Sequence, residues 1–486
     1  MLISDAKRVA FGDWQTPPVL ARAVVDVVLR TLPEPPGAVL EPTCGVGAFL
    51  EAAAARVPGA ELHGYDINEA YVVEAARRLP PDRSTVKTAD FFTLRWEDAL
   101  AKLPSPLLIL GNPPWVTSAG IGATGGDNLP EKTNFKGARG LDAITGLGNF
   151  DISEWMLVRL IDALQGRSAT VAVLCKTAVA RRVIEIAYQR GRPLAPVGSW
   201  RIDSSYHFGA SVDAWLFVFR TGVEANPAQE WPIYADLGAT VPTASLGFDG
   251  GVLVGDYRRY ARTRHLAGVS DPEWRSGVKH DCARVVELVE RDGQWLNGFG
   301  EAVTLEPGST FPFRKSSDVA NQRALPARRL IVTQRALGED TDRLRVSAPL
   351  TWEYLSRHRA RFDARKSSIY SRGHAFAMFG VGPYTFAPWK VAVSGLYKRF
   401  AFSLYGPEDG RPVVLDDTCY FLSFPAEAEA RAALRTLQSA EAQDFFESRV
   451  FWDAKRPIRK TLLQALDLRR LTCSLSAAME SPPCMS

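Results

Sequence analysis

The chain has 486 residues, 46% hydrophobic and 23% charged, a balance ordinary for a folded globular protein that excludes wholesale disorder and collagen-like or low-complexity architecture. At roughly 100–200 residues per domain, the length implies two or three domains, each large enough to bury a core. Lys and Arg number 58 against 54 Asp and Glu, and the net charge of +4 permits an anionic partner without demanding one.

The opening Met1-Leu2-Ile3-Ser4-Asp5-Ala6-Lys7-Arg8 is charged and lacks the apolar run of a secretory signal. No uncharged apolar stretch approaches the roughly 18–20 residues of a membrane span. The six cysteines (Cys44, Cys175, Cys282, Cys419, Cys473 and Cys484) are scattered, with no CxxC pair and no His neighbour at zinc spacing. The expectation is a cytoplasmic protein with no membrane segment, no metal and no disulfide framework.

From Pro17 to Arg220, helix-like and strand-like stretches alternate. Val19 to Leu32 has helical apolar spacing. A short strand ends at Val39-Leu40, and Gly45 and Gly47 lead into an Ala-rich helix, Phe49 to Ala55. A second strand ends at Gly64-Tyr65-Asp66 and is followed by the helix Glu69 to Leu79. Then come Val86 to Asp90, the apolar run Pro106 to Leu110, the helix Ser153 to Leu164, the strand Ala169 to Leu174 and the alternating Ala214 to Phe219. Strands separated by helices imply a parallel, doubly wound α/β sheet. The glycine-rich Val116 to Gly148 interrupts this rhythm directly after a strand, as functional loops do. Composition shifts after Gly222, and beyond Gly251 short strands and helices mix with Arg clusters. The expected division is 1–245 and 246–486.

The segment Val39-Leu40-Glu41-Pro42-Thr43-Cys44-Gly45-Val46-Gly47 reads as a strand running into a glycine turn, where the absence of Cβ atoms lets a ligand approach the backbone. It lacks the GK[ST] ending of a phosphate loop, and Glu41 would repel phosphate. An acidic residue there suits a cationic ligand, such as one bearing an ammonium and a sulfonium. Asp66, about 20 residues on, ends the second strand where a carboxylate can accept ribose hydroxyls. Asp90 ends the third, placed to accept from an adenine amino group, with Phe91 alongside to pack on the ring. Any one of these acids is commonly just a solvated strand end; three in register make a ligand site the better reading.

The fourth strand ends in Leu110-Gly111-Asn112-Pro113-Pro114-Trp115. Two prolines stiffen the backbone and remove two N–H donors. The Asn112 side-chain carbonyl and the Pro113 backbone carbonyl can then accept both hydrogens of one planar amine and stabilise it as charge develops on nitrogen. Trp115 offers a flat face for stacking.

Together these segments resemble the class I S-adenosylmethionine-dependent methyltransferases, and more narrowly the amino-group DNA methyltransferases with a (D/N/S)PP(Y/F/W) motif. Phe11-Gly12-Asp13-Trp14-Gln15-Thr16-Pro17-Pro18 is similar to that family's cofactor-binding element. The order of cofactor element, catalytic motif and large C-terminal domain is the gamma arrangement of N6-adenine enzymes. The resemblance implies a Rossmann-like α/β methyltransferase sheet followed by a mixed α+β DNA target-recognition domain. It also implies S-adenosylmethionine held by Thr16, Glu41, Pro42, Cys44, Gly45, Gly47, Asp66, Ile67, Asp90, Phe91 and Asn112. Asn112, Pro113, Pro114 and Trp115 would hold the target base, with Phe208 of Tyr206-His207-Phe208-Gly209-Ala210 clamping its opposite face. Phe150 and Asp151 fit the element after the catalytic loop, or equally an ordinary helix cap. Trp115 departs from the usual Tyr or Phe and is commoner in N4-cytosine enzymes, whereas Asn112 argues for adenine.

In the second half, Arg314-Lys315, Arg335, and Arg357 through Arg365-Lys366 interleave with Asn, Gln and aromatics; with Lys279 they are the expected contacts to double-stranded DNA. The phrases Trp274 to Asp281, Val332-Thr333-Gln334, Gly380 to Tyr384, Asp416 to Tyr420 and Lys455-Arg456-Pro457 resemble target-recognition domains of type II modification methylases. His280-Asp281 is read as structural or DNA-contacting rather than metal-binding. The implied reaction is methyl transfer to N6 of a flipped-out adenine, in a restriction–modification system. N4-cytosine, RNA or protein amines are the alternatives. Only a short segment precedes the first motif, so any nuclease is expected to be a separate partner.

Overall fold

The computed structural model describes residues 15–116, 151–223, 228–249, 251–322, 327–370 and 373–480. Phe11 to Trp14, Phe150 and all of the Val116 to Gly148 loop beyond Val116 lie outside them. The chain forms two compact units, Met1–Tyr257 and Arg258–Ser486.

The first unit is built on a ten-stranded, mostly parallel sheet. Its strands are β1 (Ala38–Glu41), β2 (Glu61–Asp66), β3 (Ser84–Thr88), β4 (Leu107–Gly111), β5 (Ala169–Lys176), β6 (Ala195–Ile202), β7 (Ala214–Thr221), β8 (Ala228–Tyr234), β9 (Ala244–Asp249) and β10 (Val252–Val254). They lie in the order β3-β2-β1-β4-β5-β7-β6-β8-β9-β10. Strands β1 to β5 are mutually parallel, and β7 runs antiparallel to both β5 and β6. This is the Rossmann-like α/β sheet expected from the sequence. The chain lays down β1, β2 and β3 in one direction, then returns to add β4 on the other side of β1. That reversal opens a crevice at the carboxyl ends of β1 and β4, where ligands bind in such sheets.

Local sequence explains these elements. Helix α1 (Pro18–Thr31) begins with proline at its first position and buries Leu20, Ala21, Val24, Val25, Val27 and Val28, one stripe at helical spacing. Helix α2 (Ala48–Ala54) starts at left-handed Gly47. Helix α3 (Glu69–Arg78) is capped by Asn68, whose side chain accepts the Ala70 N–H at 3.0 Å. Strands β1 and β4 are buried throughout, as the central strands of a sheet covered on both faces must be. Helices α4 (Trp96–Ala101), α5 (Ile152–Ala163), α6 (Thr177–Gln189) and α7 (Ser204–Phe208) complete the unit up to β7. No helix of the described residues is long and apolar enough to cross a membrane.

The second unit is mixed α+β. One antiparallel sheet has the order β11 (Arg275–Ser276), β19 (Cys419–Phe424), β16 (Trp389–Ser394), β17 (Ser403–Tyr405). Val391, Val393 and Leu422 of this sheet pack with Phe445, Phe446 and Leu471 from the C-terminal helices. The other sheet has the order β13 (Gln294–Leu296), β12 (Glu287–Arg291), β15 (Arg328–Ile331), β14 (Thr310–Arg314), β18 (Val414–Leu415). Its core joins Leu288, Phe311, Phe313 and Leu330 to Tyr354, Leu355 and Phe362.

Sequence phrases that lie far apart meet at one backbone junction in this unit. The Gly277 N–H donates to Cys419 O at 3.1 Å and the Val278 N–H to Leu415 O at 2.7 Å, while Lys279 and Phe379 exchange two bonds of 2.9 Å. A Cβ on Gly277 would stand 2.2 Å from the carbonyl oxygens of Leu415 and Asp416, and one on Gly380 would stand 2.3 Å from Gly277 O. Buried Gln334 accepts the Met378 N–H at 2.7 Å, and Thr333 donates to Phe376 O at 2.7 Å. These phrases knit the second unit together. Gly277→Ala forces backbone apart and lowers the unfolding free energy by at least about 2 kcal/mol. Urea denaturation of the two proteins tests this, and coincident midpoints would refute it.

Candidate active site

The glycine turn leaves β1 with Gly45 at φ +51° and Gly47 at φ +81°, the left-handed region that side chains rarely adopt. A Cβ on Gly45 would also meet the Gln15 amide oxygen at 2.5 Å. Asp66, at the end of β2, holds the turn from the side. Its carboxylate accepts the Gly45 N–H at 2.8 Å and the Asn68 N–H at 2.9 Å. Four acceptor positions on a carboxylate leave capacity for further donors.

Glu41, the last residue of β1, is only 3% exposed. Its Oε2 has no hydrogen-bond partner among the described residues. Burial drives its pKa well above the ordinary carboxylate value and the nearby Asp66 charge pushes the same way, against a backbone hydrogen bond from Leu50. A buried carboxyl with an unsatisfied oxygen is costly unless a cation or a donor arrives. The site therefore fits a ligand with a positive end, as the amino-acid part of S-adenosylmethionine has. Ile67, just past β2, is 54% exposed and offers an apolar face to a ring. Asp90 stands two residues beyond the end of β3 and accepts the Phe92 N–H at 2.9 Å. The Phe91 ring is largely buried, 4.8 Å from Trp96 and 6.3 Å from Trp155. Pro42 and Cys44 are buried within the turn itself.

Asn112 to Trp115 follow directly from β4, in the same crevice. The Asn112 amide nitrogen donates to Thr16 Oγ1 at 3.3 Å. The Trp115 indole N–H donates to Leu174 O at 3.3 Å. Trp115 and Phe208 are brought together, but edge to face: their centroids are 5.2 Å apart at 67°, and both rings are buried. Two stacking distances do not fit between them, so a base entering on the Trp115 face must displace the Phe208 edge. The exposed aromatic on that turn is Tyr206, at 82%.

Two consecutive residues tie the glycine turn to the Asn112–Trp115 corner. Gln15 accepts the Val46 N–H at 3.2 Å, and Thr16 accepts from Asn112. Thr16 was expected on the cofactor side; its neighbour Gln15 was missed, although it sits inside the same motif. Lys176 was also missed. It is a lone charge ending the apolar run of β5, and it donates to Trp115 O at 2.8 Å.

The basic residues expected to meet DNA divide into two kinds. Arg314 donates to both oxygens of Glu408 at 2.6 and 2.7 Å, and Lys315 to both oxygens of Glu287 at 3.0 and 2.8 Å. Arg365 spends its donors on carbonyls, including Ala377 O at 2.7 Å and Ala375 O at 3.2 Å, and lies 3.7 Å over the Tyr370 ring. These three are engaged by carboxylates, carbonyls or a ring of the protein itself. Arg335 is exposed over the Phe386 ring, Lys366 is exposed, and partly exposed Lys279 sits 3.4 Å from Asp281.

His280, Glu287 and Asp416 bring ligand-type atoms within 4.8 Å of one another. Burial alone would raise the Glu287 pKa, but hydrogen bonds from His280 and Lys315 more than offset it and hold the carboxyl below its usual value. The Lys315 ammonium thus already supplies the cation there.

No protein-family model matches the chain. It is 40% identical over 476 residues to the type II methyltransferase M.NspV of Nostoc sp., across 96% of this chain and 98% of that protein. Among solved structures, the type IIL restriction–modification enzyme MmeI matches 99% of this chain and 71% of its own, with TM-score 0.50 at 12% identity, a likeness of fold. TrmN from Thermus thermophilus matches 42% of this chain and 48% of its own, with TM-score 0.27 at 17% identity. On identity sustained along nearly the whole of both sequences, the chain belongs to the type II methyltransferases, the DNA-modifying enzymes of restriction–modification systems.

Proposed function

We propose that the protein transfers a methyl group from S-adenosylmethionine to N6 of an adenine flipped out of duplex DNA, and that it protects host DNA within a restriction–modification system. The observation that carries this reading is the adjacency of two features in one crevice: the Asn112-Pro113-Pro114-Trp115 corner, and a glycine turn beside the buried, unsatisfied carboxyl of Glu41.

Bound S-adenosylmethionine supplies an electrophilic methyl group on a sulfonium. Glu41 receives its positive end, Asp66 its ribose hydroxyls, Ile67 and Phe91 its adenine ring, and Asp90 the adenine amino group. The Asn112 amide is turned with its nitrogen toward Thr16, so the carboxamide oxygen and Pro113 O are the acceptors for the two hydrogens of the target amine. That lone pair is delocalised into the base. Gripping both hydrogens favours the tetrahedral nitrogen that forms as the methyl arrives, and holding the amine in line supplies most of the acceleration. The base leaves the helix first, at a cost of a few kcal/mol, and Trp115 provides the face it stacks on. Exposed Arg335, Arg357, Arg359, Arg361 and Lys366 are the basic side chains available to neutralise phosphates. The fourth motif position, Trp115, is the feature that favours the second reading, N4 of cytosine.

Nucleoside mass spectrometry of DNA from a host expressing the protein separates the two: N6-methyladenine is expected, and N4-methylcytosine alone overturns the first reading. Asn112→Ala should lower methyl transfer by about 100-fold or more with cofactor binding retained, measured by labelled-methyl incorporation and calorimetry; full transfer would reject the assignment.

Glu41 gives a pH dependence. A cationic ligand favours its ionised form, so cofactor affinity rises as pH climbs through the raised pKa and then levels off. The ligand-free fold carries the opposite trend. It favours the protonated carboxyl, a stability contribution complete below the ordinary carboxylate pKa and lost as pH rises through the raised one. Glu41→Gln should flatten both profiles, weaken cofactor binding at high pH by about tenfold or more, and raise the ligand-free Tm. Wild-type affinity that falls with pH would contradict the role.

A further inference from the structure

Beyond Gly111 the catalytic strand has nothing to zip against. β4 pairs with β5 only as far as Gly111↔Val173, and Pro113 and Pro114 have no N–H with which to extend the ladder. β5 itself runs on through Leu174, Cys175 and Lys176, paired on its far side to β7 as far as Lys176↔Ala214. These extra residues meet the corner with other groups. Leu174 O accepts the Trp115 indole N–H, and the Lys176 ammonium donates to the Trp115 backbone carbonyl at 2.8 Å.

The same ammonium donates to Asp151 Oδ2 at 2.6 Å. The other oxygen of Asp151 caps α5, accepting the Ser153 N–H at 3.2 Å and its hydroxyl at 2.5 Å. The next residue, Ile152, donates its N–H to Val116 O at 2.9 Å. The Lys176 and Asp151 side chains are 23% and 10% exposed. Charge-assisted bonds so shielded hold their geometry better than a surface ion pair does.

We propose that Lys176 is a positioning residue for the methyl transfer: where the two prolines end the strand ladder, its ammonium donates to a carbonyl of the corner, and with Asp151 it fixes Trp115 O and hence the aim of the Asn112 and Pro113 acceptors. This rests on the reading of the corner as the methyl-transfer site. Among the described residues, no hydrogen bond links Lys176 to the glycine turn, so its loss falls on the chemical step and spares cofactor binding.

The test uses the full chain, labelled S-adenosylmethionine and unmethylated plasmid DNA, with kcat, KM, cofactor Kd and Tm measured for each variant. K176M should lower kcat by about 100-fold, the effect of a displacement of about 1 Å at a reacting centre, with cofactor Kd unchanged within about threefold, the pattern of an interaction felt only in the transition state. K176R, which keeps charge and donors, should recover about tenfold of that loss. D151N, which leaves the lysine in place, should lower kcat about tenfold at unchanged Tm, and adding it to K176M should cost little more, because partners in one network are not additive. K176M near wild-type kcat, K176M losing cofactor affinity in proportion to kcat, K176R no better than K176M, or D151N at wild-type kcat each overturns the proposal. If K176M does not fold, D151N alone decides. A wild-type chain that binds cofactor but methylates no DNA overturns the underlying reading and this proposal with it.

Discussion

A proline has no hydrogen to give its neighbour, and two in succession end a strand's ladder abruptly. In this protein that constraint falls in the crevice proposed for catalysis, so the position of the corner is set by other means. Thr16 receives the Asn112 amide, Leu174 O receives the Trp115 indole, Lys176 grips Trp115 O, and Ile152 reaches Val116 O. The anchors come from the start of the chain, from β5 and from α5. Each is modest alone. Together they over-determine a few atoms, as a site that works by placement requires. The rest of the first unit holds those segments at fixed distances.

The second feature of the crevice is electrostatic discomfort. Glu41 and Asp66 end adjacent strands, and the buried one of the two has an oxygen with no partner among the described residues. Such an arrangement costs stability in the absence of a ligand and is typical of sites tuned for function rather than for folding. Such a pair of acids disfavours a phosphate and favours a cationic group at that place.

The alternation of strand and helix was legible through β5 except for α4, because β1, β4 and β5 are buried and read as apolar runs between glycines and caps. Helix α6 was passed over although Val179, Ala180, Val183, Ile184 and Ala187 recur at helical spacing; its β-branched residues pull the local propensity toward strand. Strand β6 carries Pro196 and Gly198 at a register shift, and β8 carries Pro232, residues that read as loop. The sequence puts the division of the chain near 245, but β9 and β10 add to the first sheet and the units divide at Tyr257. At the site, strand-end acids and the proline corner could be read from spacing, whereas contacts between remote residues could not. Glu408 lies 94 positions from Arg314 and Glu287 lies 28 from Lys315, and nothing local announces that these cations meet carboxylates of the protein itself. Resemblance puts Trp115 and Phe208 on opposite faces of a base, whereas in the structure the two rings meet directly, edge to face.

The knot at Gly277, with Leu415 and Asp416 on one side and Gly380 on the other, has a consequence for how such a protein diversifies. One stretch of about a hundred residues (Gly277 to Gly380) and a shorter one of about 35 (Gly380 to Leu415) begin and end at the same hub, like cords tied to one ring. What lies between Gly277 and Gly380 includes β12 to β15 with a core of its own, so its exposed connections can change length while that core and the hub's glycines together keep the second unit assembled.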